Sequence, residues 1–373
     1  MPVRALARVN LAAIERNCAR LARGLQGAAE LAAVVKADAY GHGAVPVARA
    51  ALAGGASWLA VATALEAQEL RVAGIDARIL VMGALSPDEL GIALAVAADV
   101  VAWREAFVTR VAAAGVHARV HVKLDSGMGR LGTRDAGEAH RVAAAVAAAE
   151  GLELAGAMTH FATADEPGDA FFEEQLERFK PLASELKAAH PGVLAHAANS
   201  AATLRDPAAH FDLVRCGIAI YGMDPFQADP ALRSLEPALE LTSYVGDHKR
   251  CAAGESAGYG RRFIAEQPTT LGVLPIGYGD GWRRGLSNNA EGLVGGRRRP
   301  LVGTVSMDNL TIDLGEDPAA APVGAPATLI GADGGERILA EDVARRLDTI
   351  NYEITCGLTP RVPRVFHRDG EPA

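Results

Sequence analysis

The sequence predicts an α/β fold: a (β/α)8 barrel of the TIM type followed by a predominantly β C-terminal domain. Two observations carry this. Eight short apolar runs alternate with helix-like stretches before about residue 232, which suits eight β–α repeats; a doubly wound sheet more often has about five to seven strands. After Leu232 the texture changes, with Pro230, Pro237, Pro268, Pro275, Pro300 and many glycines punctuating β-type runs. That is the composition of a separate β domain. The expected division is residues 1–234 for the barrel and 235–373 for the β domain, with the first residues able to pair with the latter.

Taken in order, Asn10 can cap a helix whose apolar positions Leu11, Ile14, Cys18, Leu21 and Leu25 recur at helical spacing. The first barrel strand, Leu31–Val35, is an apolar run bounded by turn residues; it delivers Lys36 and then a polar loop with Gly41, His42 and Gly43. The other strand candidates are 58–61, 79–82, 100–101, 120–124, 155–158, 193–195 and 213–215. Helix-like segments lie at 64–72, 87–97, 104–114, 136–150 and 170–189. In the β domain, runs at 239–245, 269–276, 301–305, 310–314 and 327–330 read as strands, and helical periodicity survives at 339–347.

Composition narrows the classes. With 373 residues, 50% hydrophobic and 22% charged, the chain is long enough for a large core and is neither disordered nor fibrous. A net charge of -8 offers no footprint for nucleic acid or an anionic membrane. Arg297-Arg298-Arg299, between Gly295-Gly296 and Pro300, reads as a solvated hairpin turn. Cys18, Cys216, Cys251 and Cys356 are far apart and lack ligand spacing, so four reduced thiols are expected, with no metal. Arg4, Arg8 and Glu15 interrupt any signal-like core, and no apolar run is long enough to span a bilayer, so a cytoplasmic location is expected.

Active sites of such barrels lie at the carboxyl ends of the strands. Here Lys36 ends the first strand, Lys123, Asp125 and Arg130 follow the fifth, His160 closes the sixth, Ser200 follows the seventh, and Arg215, Gly217 and Ile218 close the eighth. A strand-end lysine often just extends into solvent, but a ring of such residues is a site. At the mouth of an apolar barrel a lysine can lose enough charge to attack a carbonyl. Gly217 and its neighbouring amides suit a phosphate. Three glycine patterns are decoys. Gly127–Gly132 matches a dinucleotide fingerprint but follows the fifth strand, Gly254–Gly258 matches a hydrolase elbow but no helix can follow it, and Gly277–Gly281 reads as a glycine-rich loop.

VVKADAYGHG, KLDSGMGRLG, THFATAD, HAANSAAT, VRCGIAIYG, AGYGRRF, LPIGYGDGWRR, VGTVSMDNLTID and INYEITCGLTPRVPRVF stand in order along nearly the whole chain. In these the chain resembles the alanine racemases. The resemblance implies an amino-acid racemase that interconverts L- and D-alanine with pyridoxal 5'-phosphate (PLP), supplying a peptidoglycan precursor. It implies Lys36 as the lysine that binds the cofactor aldehyde, and Tyr40, Ser200, Gly217, Ile218 and Tyr352 around the phosphate. His160 would steady Arg215, which would face the pyridine nitrogen. Tyr259 would be the second base, reaching the site of the other subunit in a homodimer. Arg130 and the backbone at Met307 would hold the substrate carboxylate, Lys123 matches a lysine often carbamylated in relatives, and Tyr278 and Arg284 would line the access channel. Cys216 and Ser306 stand at positions that vary among relatives. Competing expectations are a serine or broad-range racemase of the same fold, a diamino-acid decarboxylase, which Arg215 disfavours, and a non-catalytic PLP-binding protein, which would lack the β domain.

Overall fold

A computed structural model describes residues 4–316, 319 and 321–373. It divides into two compact units: Ile14–Ala39 with Ala44–Ile220, and Met1–Ala13 with Tyr40–Gly43 and Tyr221–Ala373.

The chain opens with strand β1 (Leu6–Asn10), whose alternating burial marks one covered face, and helix α1 (Leu11–Arg23). Asn10 caps α1 as expected, its Oδ1 accepting from Ala12 N at 3.1 Å. Then come β2 (Glu30–Val34), a short turn α2 (Lys36–Gly41), α3 (Ala44–Ala53), β3 (Trp58–Val61), α4 (Ala64–Val72), β4 (Arg78–Val81) and α5 (Pro87–Ala95). After them come β5 (Asp99–Ala102), α6 (Glu105–Ala113), β6 (Ala118–Lys123), α7 (Ala136–Ala148), β7 (Leu152–Met158), α8 (Phe171–Ala189), β8 (Leu194–His196), α9 (Ser200–Arg205) and β9 (Leu213–Cys216).

Strands β2 to β9 form one parallel sheet in the order β8-β7-β6-β5-β4-β3-β2-β9. All eight coincide with the apolar runs expected from the sequence. The ring is completed between β8 and β9 by Asp212 N→Ala195 O at 3.0 Å and Arg215 N→Ala198 O at 2.9 Å. Because both faces of each strand are covered, the strands are buried almost throughout, and this forces nearly every position to be apolar. Capping boxes start α4 (Thr63 with Glu66) and α5 (Ser86 with Glu89).

The second unit contains β10 (Leu239–Tyr244), β11 (Asp247–Cys251), β12 (Ser256–Ala257), β13 (Phe263–Ile264), β14 (Thr269–Leu274), β15 (Glu291–Val294), β16 (Arg297–Pro300) and β17 (Leu310–Gly315). β18 (Pro326–Asp333), β19 (Glu336–Ile338), helices α10 (Ala340–Arg346) and α11 (Asn351–Cys356), β20 (Arg364–Arg368) and β21 (Glu371–Pro372) complete it. One sheet runs β16-β15-β18-β10-β1-β20-β21, so β1 pairs with β10 and β20; β11-β14-β17 form a second sheet.

Two expectations are corrected. Leu301–Val305 is not a strand; it makes a single bridge from Leu301 to Ile312, since Gly303 takes a φ of +79° and turns the chain away. Arg297–Arg299 lie on strand β16, the turn itself being Gly295-Gly296 with φ of +61° and +71°. Among the described residues no helix is long and apolar enough to cross a membrane, and none of the four cysteines is in a disulfide.

Candidate functional site

Lys36 is half-buried and stands just beyond the carboxyl end of β2, as the first residue of α2. The turn it begins is left-handed. Ala37, Asp38, Ala39 and Tyr40 have φ of 51° to 53°, and Gly41 has 81°. For L-residues this conformation costs about 1–2 kcal/mol each, so a run of four persists only if its surroundings hold it. In the barrel unit Glu66 Oε1 accepts from Ala37 N at 2.6 Å, Ala39 N donates to Val35 O at 2.9 Å, and Asp38 Oδ1 accepts from Ala44 N at 2.7 Å. In the second unit Arg364 Nε donates to Gly41 O at 2.9 Å, and a Cβ at Gly41 would fall 2.2 Å from Thr355 O. Glu66 also accepts from Ala62 N and Thr63 N, so a capping carboxylate fastens the lysine-bearing turn to the end of β3. A sequence shows the capping box but not that its free oxygen serves a neighbouring loop.

Around the barrel's carboxyl end the cations converge. Lys123, last residue of β6, is 5% exposed, and burial followed by Arg215 and Arg130 brings its ammonium down to about 8. Half-buried His160 is pushed well below its ordinary value, first by burial, then by Arg215, Lys123, Arg130 and Lys36. Arg130 is exposed on the loop after β6. Four cations facing one histidine make a strongly electropositive mouth with room for anions.

Arg215, on β9 and 3% exposed, is the most constrained of them. Its Nη2 donates to Thr159 O (2.8 Å) and Ala197 O (3.0 Å) and lies 3.3 Å from His160 Nδ1; its Nη1 lies 2.9 Å from His196 Nδ1. Burial lowers its guanidinium to about 10. Ser200 opens α9 behind the Asn199 cap, and its Oγ accepts from Gly217 N at 3.0 Å and Ala219 N at 3.3 Å, joining Ser200 to the Gly217-Ile218 turn. Ile218 is fully buried. Neighbouring Cys216 is buried too, and its thiol is pushed up to about 11 by burial, which leaves it inert at neutral pH.

In the second unit Tyr40 and Tyr352 meet edge to face, ring centroids 5.7 Å apart, and Tyr221 packs on Tyr40 at 5.0 Å. Tyr278 and Met307 are neighbours: Tyr278 N donates to Ser306 O at 3.0 Å and Gly279 N to Met307 O at 2.9 Å. This approach requires glycine at 277, where a Cβ would sit 2.2 Å from Ser306 O. Buried Asp280 fixes the loop, accepting from Gly277 N, Arg4 and Arg361. Arg284 is exposed. Tyr259 is 73% exposed on a turn between Gly258 and Gly260, both at φ +72°, with its carbonyl accepting from Thr304 Oγ1 at 2.7 Å.

The decoys resolve physically. In Gly127–Gly132 the amides of Gly127 and Gly129 donate to Asp125 and are not offered to a pyrophosphate. Despite the upward push of burial, those amides and Arg134 keep the Asp125 carboxyl below its ordinary value. Ser256 lies on β12, is followed only by the short 3-10 turn Tyr259–Arg261, and accepts from Arg261 Nε. Residues that sequence reasoning missed are Glu66, Asp280 and His196, each a buried or capping group whose partner is distant in sequence.

Comparison with known proteins identifies the family. The profile of the alanine racemase N-terminal domain matches residues 9–225, and that of the alanine racemase C-terminal domain residues 238–366. The alanine racemase of Symbiobacterium thermophilum is 43% identical, with 96% of each chain covered. That of Geobacillus stearothermophilus is 42% identical, with 97% of this chain and 93% of the other covered. Among solved structures, alanine racemase from E. faecalis superposes with a TM-score of 0.92 at 36% identity, covering 98% of both chains. The Bacillus anthracis alanine racemase with bound L-Ala-P gives 0.91 at 38% identity, covering 100% of this chain and 97% of that one.

Proposed function

Because this chain belongs to the alanine racemase family, we propose that it is an isomerase interconverting L- and D-alanine by a two-base, PLP-dependent route. The observation that carries the reading is the convergence of Lys36, Lys123, Arg130 and Arg215 on His160 at the barrel mouth. That donor set fits a cofactor bearing a phosphate and an aldehyde, and a substrate bearing a carboxylate.

Lys36 would hold the cofactor through its aldehyde. Ser200, Gly217, Ile218, Tyr40 and Tyr352 would hold the phosphate, and Arg215, steadied by His160, would meet the ring nitrogen. When bound, PLP draws electrons from the substrate and makes its α-hydrogen acidic. Once the substrate amine has displaced it from the cofactor, Lys36 Nζ would serve one face of the α-carbon and Tyr259 Oη the other: one removes the α-proton while the other, already protonated, delivers its own proton to the opposite face. Arg215 donates and cannot accept, so it orients the ring without handing over a proton. Arg130 and the Met307 amide take the substrate carboxylate, and Tyr278 and Arg284 border its path. Lys123, partly neutral near pH 8, can add carbon dioxide: its Nζ forms a bond to carbon, one proton leaves, and the resulting anion would pair with Arg130. Exposure of Tyr259 in a single chain suits a base that serves the site of a second copy, hence a homodimer.

The test is solvent deuterium exchange at the α-carbon. Cofactor-loaded protein should incorporate deuterium from either enantiomer of alanine; absence of exchange with both rejects the proposal.

A further inference from the structure

The barrel interior holds a chain of buried polar groups that none of the roles above uses. Asp99, first residue of β5, His121 on β6 and His196 at the end of β8 are all fully buried. His121 Nε2 lies 3.0 Å from Asp99 Oδ2, His121 Nδ1 lies 2.8 Å from His196 Nε2, and His196 Nδ1 lies 2.9 Å from Arg215 Nη1.

The ends of this chain fix the position of every proton in it. A guanidinium only donates, so His196 Nδ1 accepts and the ring's hydrogen is on Nε2. That hydrogen goes to His121 Nδ1, so the hydrogen of His121 is also on Nε2 and goes to Asp99, an acceptor when ionised. Both rings are therefore neutral Nε2–H tautomers. An extra proton on either ring would set two N–H groups against each other. Burial, then the charge of Arg215, hold His196 well below its ordinary value. Asp99 stays ionised: burial pushes its carboxyl up, but His121, Arg78 at 2.5 Å and Arg119 at 2.6 Å hold it below its ordinary value.

The fold makes room for the chain. A Cβ at Gly156 on β7 would lie 2.3 Å from His121 Nδ1, and the β6–β7 register shifts between Val120 and His121. Arg215 needs such support, since the partners that fix its guanidinium are two carbonyls and two imidazoles. A cation so deeply buried is costly unless negative charge reaches it. Asp99 supplies that charge through two polarised rings, much as a carboxylate behind a histidine tunes the group the histidine holds.

We propose that Asp99, His121 and His196 form a positioning relay that fixes the plane and donor pattern of Arg215 at the barrel mouth. Its role in catalysis rests on the reading of Arg215 as the partner of the cofactor ring; the proton pattern does not. One Nη1 hydrogen of Arg215 goes to His196 and the two Nη2 hydrogens to the Thr159 and Ala197 carbonyls, with His160 Nδ1 sharing one of them at 3.3 Å, so the second Nη1 hydrogen and the Nε hydrogen are not used by these partners.

The first test is nitrogen-15 NMR of ring-labelled histidines in the cofactor-loaded protein, assigned by single substitutions. Both His121 and His196 should show the neutral Nε2–H pattern at neutral pH. A charged ring or an Nδ1–H tautomer at either position overturns the relay. The second test compares His196→Asn, whose amide oxygen can replace Nδ1 as acceptor for Arg215, with His196→Leu, which offers none. His196→Leu should lower kcat roughly 30- to 100-fold with the alanine KM little changed, while His196→Asn stays within about tenfold of the parent. Equal losses in both, or no loss in either, overturn the positioning role. If the Leu variant does not fold, the NMR pattern still decides. A parent with no racemisation would defeat the proposed function while leaving the tautomer result to stand or fall alone.

Discussion

Two groups of candidate residues, one in the barrel unit and one in the sheet unit, live in opposite surroundings. Lys123, Ser200 and Arg215 are 5%, 2% and 3% exposed, whereas Tyr259, Met307 and Tyr278 are 73%, 51% and 41% exposed. In the barrel, a functional group is also a structural one: Ser200 satisfies two backbone amides and Arg215 two carbonyls. In the sheet unit the backbone is fixed, by Gly258, Gly260, Asp280 and the Ser306–Met307 contact, while the side chains are left to be covered by something else. Changes to the first group should therefore disturb folding and activity together, and changes to the second activity alone.

The largest contrast is expected between Lys36→Ala and Tyr259→Phe. Each should reduce racemisation at least about 10³-fold, the scale for loss of a group that moves a proton in the transition state. Lys36→Ala should also abolish the visible absorbance of the bound cofactor, which Tyr259→Phe should keep, with thermal stability within about 0.5 kcal/mol of the parent. Mixed dimers of the two variants should regain activity through the one site that has both groups. No recovery in verified mixed dimers would place Tyr259 in its own chain's site.

Next comes Ser200→Ala, which strands the amides of Gly217 and Ala219. Denaturant unfolding should show a loss of about 2–3 kcal/mol without cofactor, together with weaker PLP binding by fluorescence titration. An unchanged midpoint would mean that water replaces the hydroxyl and that the barrel unit is less dry than its burial indicates.

The smallest effect is expected at Lys123, and its sign is opposite. The folded value is about 8 against an ordinary 10.5, so between those values the unfolded chain binds a proton that the folded chain does not. Stability of the cofactor-free parent should thus rise with pH across this window, and the full penalty stands below pH 8. Lys123→Met should then be more stable than the parent at pH 7 by on the order of 2 kcal/mol, while the advantage fades as pH approaches 10. A variant that is less stable at pH 7 would indicate that Lys123 carries a compensating charge, such as a carbamate, which carbon-13 NMR in labelled bicarbonate detects directly.

The barrel was legible because its strands are buried on both faces, so each is an apolar run of the expected length, and Lys36, Lys123, His160 and Arg215 stand out as polar residues at the carboxyl ends of those runs. The sheet unit was less legible. β1 and β20 are half-covered strands of mixed polarity that pair with each other across more than 350 positions, and β16 carries three arginines, of which Arg297 and Arg298 are exposed and Arg299 is half-buried against Leu314 O. Within the site, His196 and Glu66 escaped for a related reason. An imidazole inside an apolar strand end and a glutamate in a capping box look structural by sequence, and only the tertiary fold shows which distant groups they bind.

The left-handed turn after Lys36 depends on partners distant in sequence. Four consecutive L-residues in this conformation, at about 1–2 kcal/mol each, cannot nucleate on their own as an ordinary helical turn can. The turn depends on the Val35 carbonyl just beyond β2, the Glu66 carboxylate of α4 and the space beside Thr355 that admits Gly41. The position of the lysine is accordingly a property of the folded surroundings of this turn and not of its own stretch of sequence.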